Sequence, residues 1–160
     1  MNSILIISAE TELFFKISNS PYIFSYIPKP CKLEEIQKNI DLLVQTKTNN
    51  YILNKINDEL TSLHYNFSYS GTRYLAETIF ELYKQQEEFK DNLERDIYPI
   101  IARRHNKTVN TIHGNIKHAT KYMYLDCQES IINQYFNYTY YTKPKLKEII
   151  FTILNKIQNN

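Results

Sequence analysis

From Ile52 to Ile157 apolar residues return every three or four positions, and that period dictates a helical fold for about two thirds of the chain. Ile52, Ile56, Leu60 and Leu63 make one stripe, and Leu75, Ile79, Leu82 and Tyr83 a second. Asn66 to Ser70 breaks the pattern between them. Phe89, Leu93 and Ile97 lead into a third stripe, which Pro99 interrupts and Ile100 and Ile101 continue. A proline inside a helical run kinks it or restarts it. His105 and Asn106 form a stop, and Thr108 is a natural N-cap for a helix over Asn110 to Tyr122. Ile131, Ile132, Tyr135 and Phe136 predict a short helix, and Lys147 to Ile157 the last one.

The first part of the chain reads differently. Ile4 to Ile7 is wholly apolar and suits a strand buried on both faces. Thr11 to Ser18 reads as briefly helical. Tyr22 to Ile27, rich in aromatic and β-branched residues, predicts a second strand that Pro28 and Pro30 end. Leu33, Ile36, Ile40 and Leu43 mark a short amphipathic helix. Gln45 to Asn50, polar and aperiodic, is expected to be a linker.

Several functions are disfavoured by composition. With two glycines, Gly71 and Gly114, the chain has neither a phosphate-cradling loop nor a nucleophile elbow, so an enzyme is not expected. Cys31 and Cys127 fit no metal spacing, and His113 and His118 stand about 140° apart on a helix, so neither a metal nor another cofactor is expected. No apolar run approaches a membrane span, and MNSILIISAETE turns acidic too soon for a signal peptide. A reduced, cytoplasmic protein without a membrane partner is the expectation.

One of the two glycines stands inside the helix expected at TVNTIHGNIKHATKYM, where it costs about 1 kcal/mol relative to alanine. At about 100° per residue, Val109, Ile112, Ile116, Ala119 and Met123 share one sector. Gly114 lies opposite, among Asn110, Thr111, Lys117, His118 and Lys121. Charge is segregated along the same stretch. Glu77 to Asp96 holds seven acids and three bases, whereas Ile97 to Leu125 holds no acid. That acid-free interval contains Arg103, Arg104, Lys107, Lys117 and Lys121, with His105, His113 and His118. A net charge of only +2 hides this basic face, which suits phosphates. Two helices meeting at the turn RRHNKT, the second with a polar, basic outer face, outline a helix-turn-helix.

Four stretches appear in one order: G-x-x-Y-L-x-E-x-I (Gly71 to Ile79), Y-P-x-I-A-[KR]-[KR]-x-N (Tyr98 to Asn106), T-x-x-x-[VI]-x-x-x-I-[RK]-H-A (Thr108 to Ala119) and F-x-Y-T (Phe136 to Thr139). In order and spacing they resemble the C-terminal effector domain of the sporulation-initiation response regulators. The resemblance implies a mainly α fold, a six-helix effector bundle over residues 52–158 containing a helix-turn-helix. It implies double-stranded DNA as partner, bound at short boxes and often by a tandem dimer, and contact with RNA polymerase in transcription. Arg103, Arg104, Thr108, Lys117 and His118 match the family pattern. Where Thr111 and Gly114 stand the family has arginine, and where His113 stands it has an acid. On this basis Arg104, Lys107 and Lys121 are expected at phosphates, Asn110, Thr111, Gly114 and His118 at base edges, and Lys117 at the groove wall, with Arg103, Thr108 and His113 also in the expected DNA-binding set.

SILIISAETELFFKI and SYIPKPCKLEEIQKNI resemble the first and last pieces of a receiver domain. Residues 1–44 are thus expected to be a vestigial, truncated α/β receiver-like segment, joined to the effector by residues 45–51. Ser8 and Ala9 replace the acid pair, and no Asp precedes Asp41, so neither phosphorylation nor its metal is expected there. Lys29 of the Lys-Pro pair is then a leftover. Tyr135 to Tyr141, YFNYTYY, reads as a packed corner or a stacking platform for single strands. Two functional classes stay open: a phosphorylation-independent DNA-binding regulator, or an interaction protein that pairs with the full-length regulator or another partner and reads DNA weakly or not at all.

Overall fold

The computed structural model describes residues 4–8, 20, 22–85 and 92–159. They divide into two units, Met1–Tyr51 and Ile52–Asn160. The helix expected over Thr11 to Ser18, Ala9 and Phe89 lie outside the described residues.

In the first unit β1 (Ile4–Ser8) pairs in parallel with β2 (Ile23–Pro28), with an irregularity between Ile4 and Leu5. Leu5, Ile6 and Ile7 are half-buried, not enclosed on both faces, because each strand has one strand neighbour among the described residues. Ile27 of β2 is the one fully buried strand residue described. The Ser25 hydroxyl donates to Asn39 Oδ1 (2.7 Å) and so ties β2 to the following helix.

That helix, α1, runs from Leu33 to Ser62 and carries the boundary between the units. Gln45 to Asn50, expected to be a linker, is helical. The stretch holds no glycine or proline to stop a helix. Its lack of period reflects the absence of any core to face: no residue from Leu33 to Tyr51 is buried. From Ile52 the stripe begins, with Ile52, Ile56 and Leu60 buried in the second unit.

The second unit continues with α2 (Ser70–Lys84), α3 (Leu93–Asp96), α4 (Tyr98–Arg104), α5 (Val109–Asp126), α6 (Glu129–Phe136) and α7 (Leu146–Asn159). Only Ile97 separates the single turn of α3 from α4; taken together they make this a bundle of six helices among the described residues. Pro99 restarts the chain as α4, sitting in its first turn where its missing N–H costs nothing. Leu75, Ile79, Ile101, Ile112, Ile116, Met123, Ile132 and Ile153 are among the side chains that close the core.

α2 and α5 pack most closely, and Gly71 permits it. A Cβ there would fall 1.9 Å from the Asn115 carbonyl oxygen, so only a glycine lets the two backbones approach. The first glycine of the chain is therefore a packing device that seats α5.

Candidate nucleic-acid interface

α4 ends in a left-handed cap built without glycine. Asn106 takes φ 51°, the Lys107 N–H donates to the Ala102 carbonyl (2.9 Å), and the Asn106 N–H donates to Arg103 (3.2 Å). Two residues later Thr108 caps α5, its hydroxyl accepting the Thr111 N–H at 3.1 Å. The RRHNKT turn is thus defined at both ends, which fixes the angle at which α5 leaves it.

Ile112, Ile116, Ala119, Thr120 and Met123 of α5 are buried, and Val109 is half-buried. Asn110, Thr111, Gly114, Lys117, His118 and Lys121 are exposed on the other side, as are Arg103, Lys107 and Thr108 in the turn. A Cβ on Gly114 would meet no atom within 4 Å. The second glycine faces open space.

The basic residues are not equally available. Arg104 forks across α2, with Nη1 2.8 Å from Glu77 Oε2 and Nη2 2.6 Å from Glu81 Oε1. His105 Nε2 lies 2.7 Å from the other Glu77 oxygen, and its ring rests 4.8 Å from that of Tyr74. Lys84 also pairs with Glu81 (2.8 Å). Burial pushes the Glu81 carboxyl up, but hydrogen bonds from Arg104 and Lys84 outweigh it and hold the group below its ordinary value. Arg104, expected at a phosphate, latches the end of α4 to α2.

His113 is half-buried beside the outer face. It lies on one flank of α5, with Nδ1 3.0 Å from Glu94 Oε1 and its ring 5.5 Å from that of Tyr98. Burial, then the Lys117 ammonium, holds its imidazole below the ordinary value against the pull of Glu94. The cations exposed on the turn and outer face are Arg103, Arg104, Lys107, Lys117 and Lys121, of which Arg104 is held by Glu77 and Glu81.

On the opposite flank His118 sits in an aromatic group that the sequence pattern missed. Its ring is 4.7 Å from Tyr122, one turn along α5, and 6.0 Å from Tyr69 at the start of α2, edge to face. Tyr69 and Tyr122 lie 5.1 Å apart. Such contacts limit where the exposed imidazole can point. The i, i+4 spacing of His118 and Tyr122 was a usable signal; Tyr69, far away in sequence, gave none.

Within YFNYTYY, Tyr135 and Tyr138 are packed, whereas Tyr140 is exposed. The Tyr135 hydroxyl donates to Glu59 (2.5 Å) and Lys156 Nζ sits 3.3 Å above its ring. The Tyr138 hydroxyl donates to Glu148 (2.5 Å), and its ring stacks on Phe136. Among the described residues no group of three His, Cys, Asp or Glu side chains is placed to hold a metal ion, and no helix is long and apolar enough to cross a membrane.

No curated protein matches the chain. The family model described as the sporulation initiation factor Spo0A C terminal matches residues 56–157, which takes in α2 to α6, the whole turn and all but the last two residues of α7. The chain therefore belongs to the Spo0A C-terminal family of sporulation regulators, whose domain binds DNA and regulates transcription and is not a catalytic one.

Proposed function

We propose that this protein is a sequence-specific DNA-binding regulator of transcription that acts without phosphorylation of its N-terminal segment. The observation that carries the reading is the outer face of α5, open over Gly114 and bordered by lysines with no acid among them. α5 enters the major groove, which is wide enough for a helix. Lys107 and Lys121, with Arg103, contact phosphates. Asn110, Thr111, Gly114 and His118 face base edges, and Lys117 lies at the groove wall. Thr108 and Arg104 act by positioning, one as the cap of α5 and the other as the latch on α2.

Residues 52–158 are the effector, and residues 1–44, followed by 45–51, are a receiver-like remnant in a cytoplasmic protein. Ser8 at the end of β1, where a receiver has an acid, supports its silence. Family membership supports pairing of two copies in tandem on DNA and contact with RNA polymerase. One observation favours a second reading, an interaction protein with weak DNA binding: Thr111 and Gly114 supply no guanidinium, the commonest guanine reader.

A shift assay at stated salt separates the two. Sequence-specific binding to family-type boxes or to particular genomic fragments is the expected result. Binding to none, with a folded protein, selects the interaction protein.

A further inference from the structure

Beside the outer face of α5 lies a cleft of about 440 Å³ that the helical pattern gave no reason to expect. Lys117, Thr120, Lys121 and Tyr124 of α5 form one wall, and Lys145 and Leu146 form the other. The opposite wall is the turn that leads into α7, and it is held in place. The Tyr124 hydroxyl donates to the Pro144 carbonyl, Pro144 is buried, and Lys143 Nζ lies 5.5 Å from the Tyr124 ring centroid. The Lys117, Lys121, Lys143 and Lys145 side chains are all exposed.

No carboxylate lines this cleft among the described residues. The nearby acid, Glu148, is engaged elsewhere: it accepts the Lys145 backbone N–H (3.3 Å) and the Tyr138 hydroxyl. Like charges gathered without a counter-charge are the mark of a surface that meets an anion. Lys117 and Lys121 lie about 60° and 20° from Gly114 around α5, both toward this cleft. An anion held here is therefore adjacent to whatever covers Gly114.

We propose that this cleft is a phosphate-binding site in which Lys143 and Lys145, together with Lys117 and Lys121, grip the DNA backbone along the edge of the groove that α5 occupies. The proposal rests on the DNA-binding reading of α5 and adds a contact that lies outside the helix-turn-helix. Lys143 and Lys145 position the duplex and read no sequence, because phosphates carry none.

The test is Lys143→Gln/Lys145→Gln in the full chain, titrated against one preferred and one unrelated duplex across a salt series. Each lost phosphate contact flattens the plot of log affinity against log salt by about 0.9. The double variant is expected to flatten it by about 1.8 on both duplexes, with the preference between them unchanged. Ethylation interference should vanish at one set of phosphates and persist at those assigned to Lys107. All four positions are exposed, so the thermal transition should stay in place. A wild-type slope with a wild-type interference pattern overturns this proposal and leaves α5 as the DNA-binding element. Failure of the wild-type chain itself to bind any duplex overturns both.

Discussion

A Cβ on Gly71 falls 1.9 Å from the Asn115 carbonyl oxygen, whereas one on Gly114 meets nothing within 4 Å. The same substitution should therefore have opposite effects at the two sites. Gly71→Ala forces α2 off α5 and is expected to cost about 3 kcal/mol, the upper end of the overpacking range. Gly114→Ala removes a helix penalty and is expected to add about 1 kcal/mol. Urea titrations of both variants check the signs; a destabilised Gly114→Ala would mean that α5 is packed on its outer side. The exposure of Gly114 was legible from the helical wheel alone. The role of Gly71 was not, because its reason is a backbone oxygen 44 positions away in sequence. The same limit hid the fate of Arg104: its partners Glu77 and Glu81 lie in the acid-rich stretch, and segregation along the sequence is undone where α2 meets α4.

At the scale of elements, the stops and starts were readable because they are local chemistry. His64, Asn106 and Asn137 all have positive φ at helix ends, so this glycine-poor chain turns its helices with other residues. Thr108 caps α5 as its position before the apolar period implied. The helical conformation of Gln45 to Asn50 was not legible, because a polar, aperiodic stretch does not separate a loop from a helix with nothing to pack against. The latch between α2 and α4 predicts a pH dependence. Glu81 is depressed in the fold, so its contribution is present above the unfolded carboxylate value and is lost as pH falls through the folded one. The melting temperature of the wild type should drop as pH falls below the ordinary carboxylate value. Glu81→Gln should be less stable at neutral pH, by about 1–3 kcal/mol, and less sensitive to that acid step. Equal acid sensitivity in both proteins would show that the latch does not titrate.

For the whole molecule, the two units differ in how far the sequence could describe them. The second is built on a period that names its own core, and Ile56, Leu60, Leu75, Ile79, Ile112 and Ile116 are all buried as that period requires. The first is a parallel pair of strands with α1 beside it. In a doubly wound sheet of order 2-1-3-4-5 the first and last strands are not neighbours. Loss of the strands that stand between them would bring the two together, and the direct parallel pairing of β1 with β2 is compatible with that. If the segment is silent, treatment of the full chain with acetyl phosphate should leave its intact mass unchanged. A stable acyl-phosphate adduct would return the N-terminal segment to a regulatory role.

The central claim, that α5 lies in the DNA groove with Gly114 toward the bases, is tested most directly by Gly114→Arg. The position has open space around it and the change removes a helix penalty, so the variant should fold. An arginine there can reach guanine O6 and N7, a contact worth about 1–3 kcal/mol of discrimination. Binding of the variant to guanine-containing family boxes, compared with wild type at one salt concentration, is predicted to tighten by about tenfold or more. A folded Gly114→Arg protein whose binding is unchanged on every DNA tested would contradict the account, because a groove-facing position could not gain a guanidinium without effect.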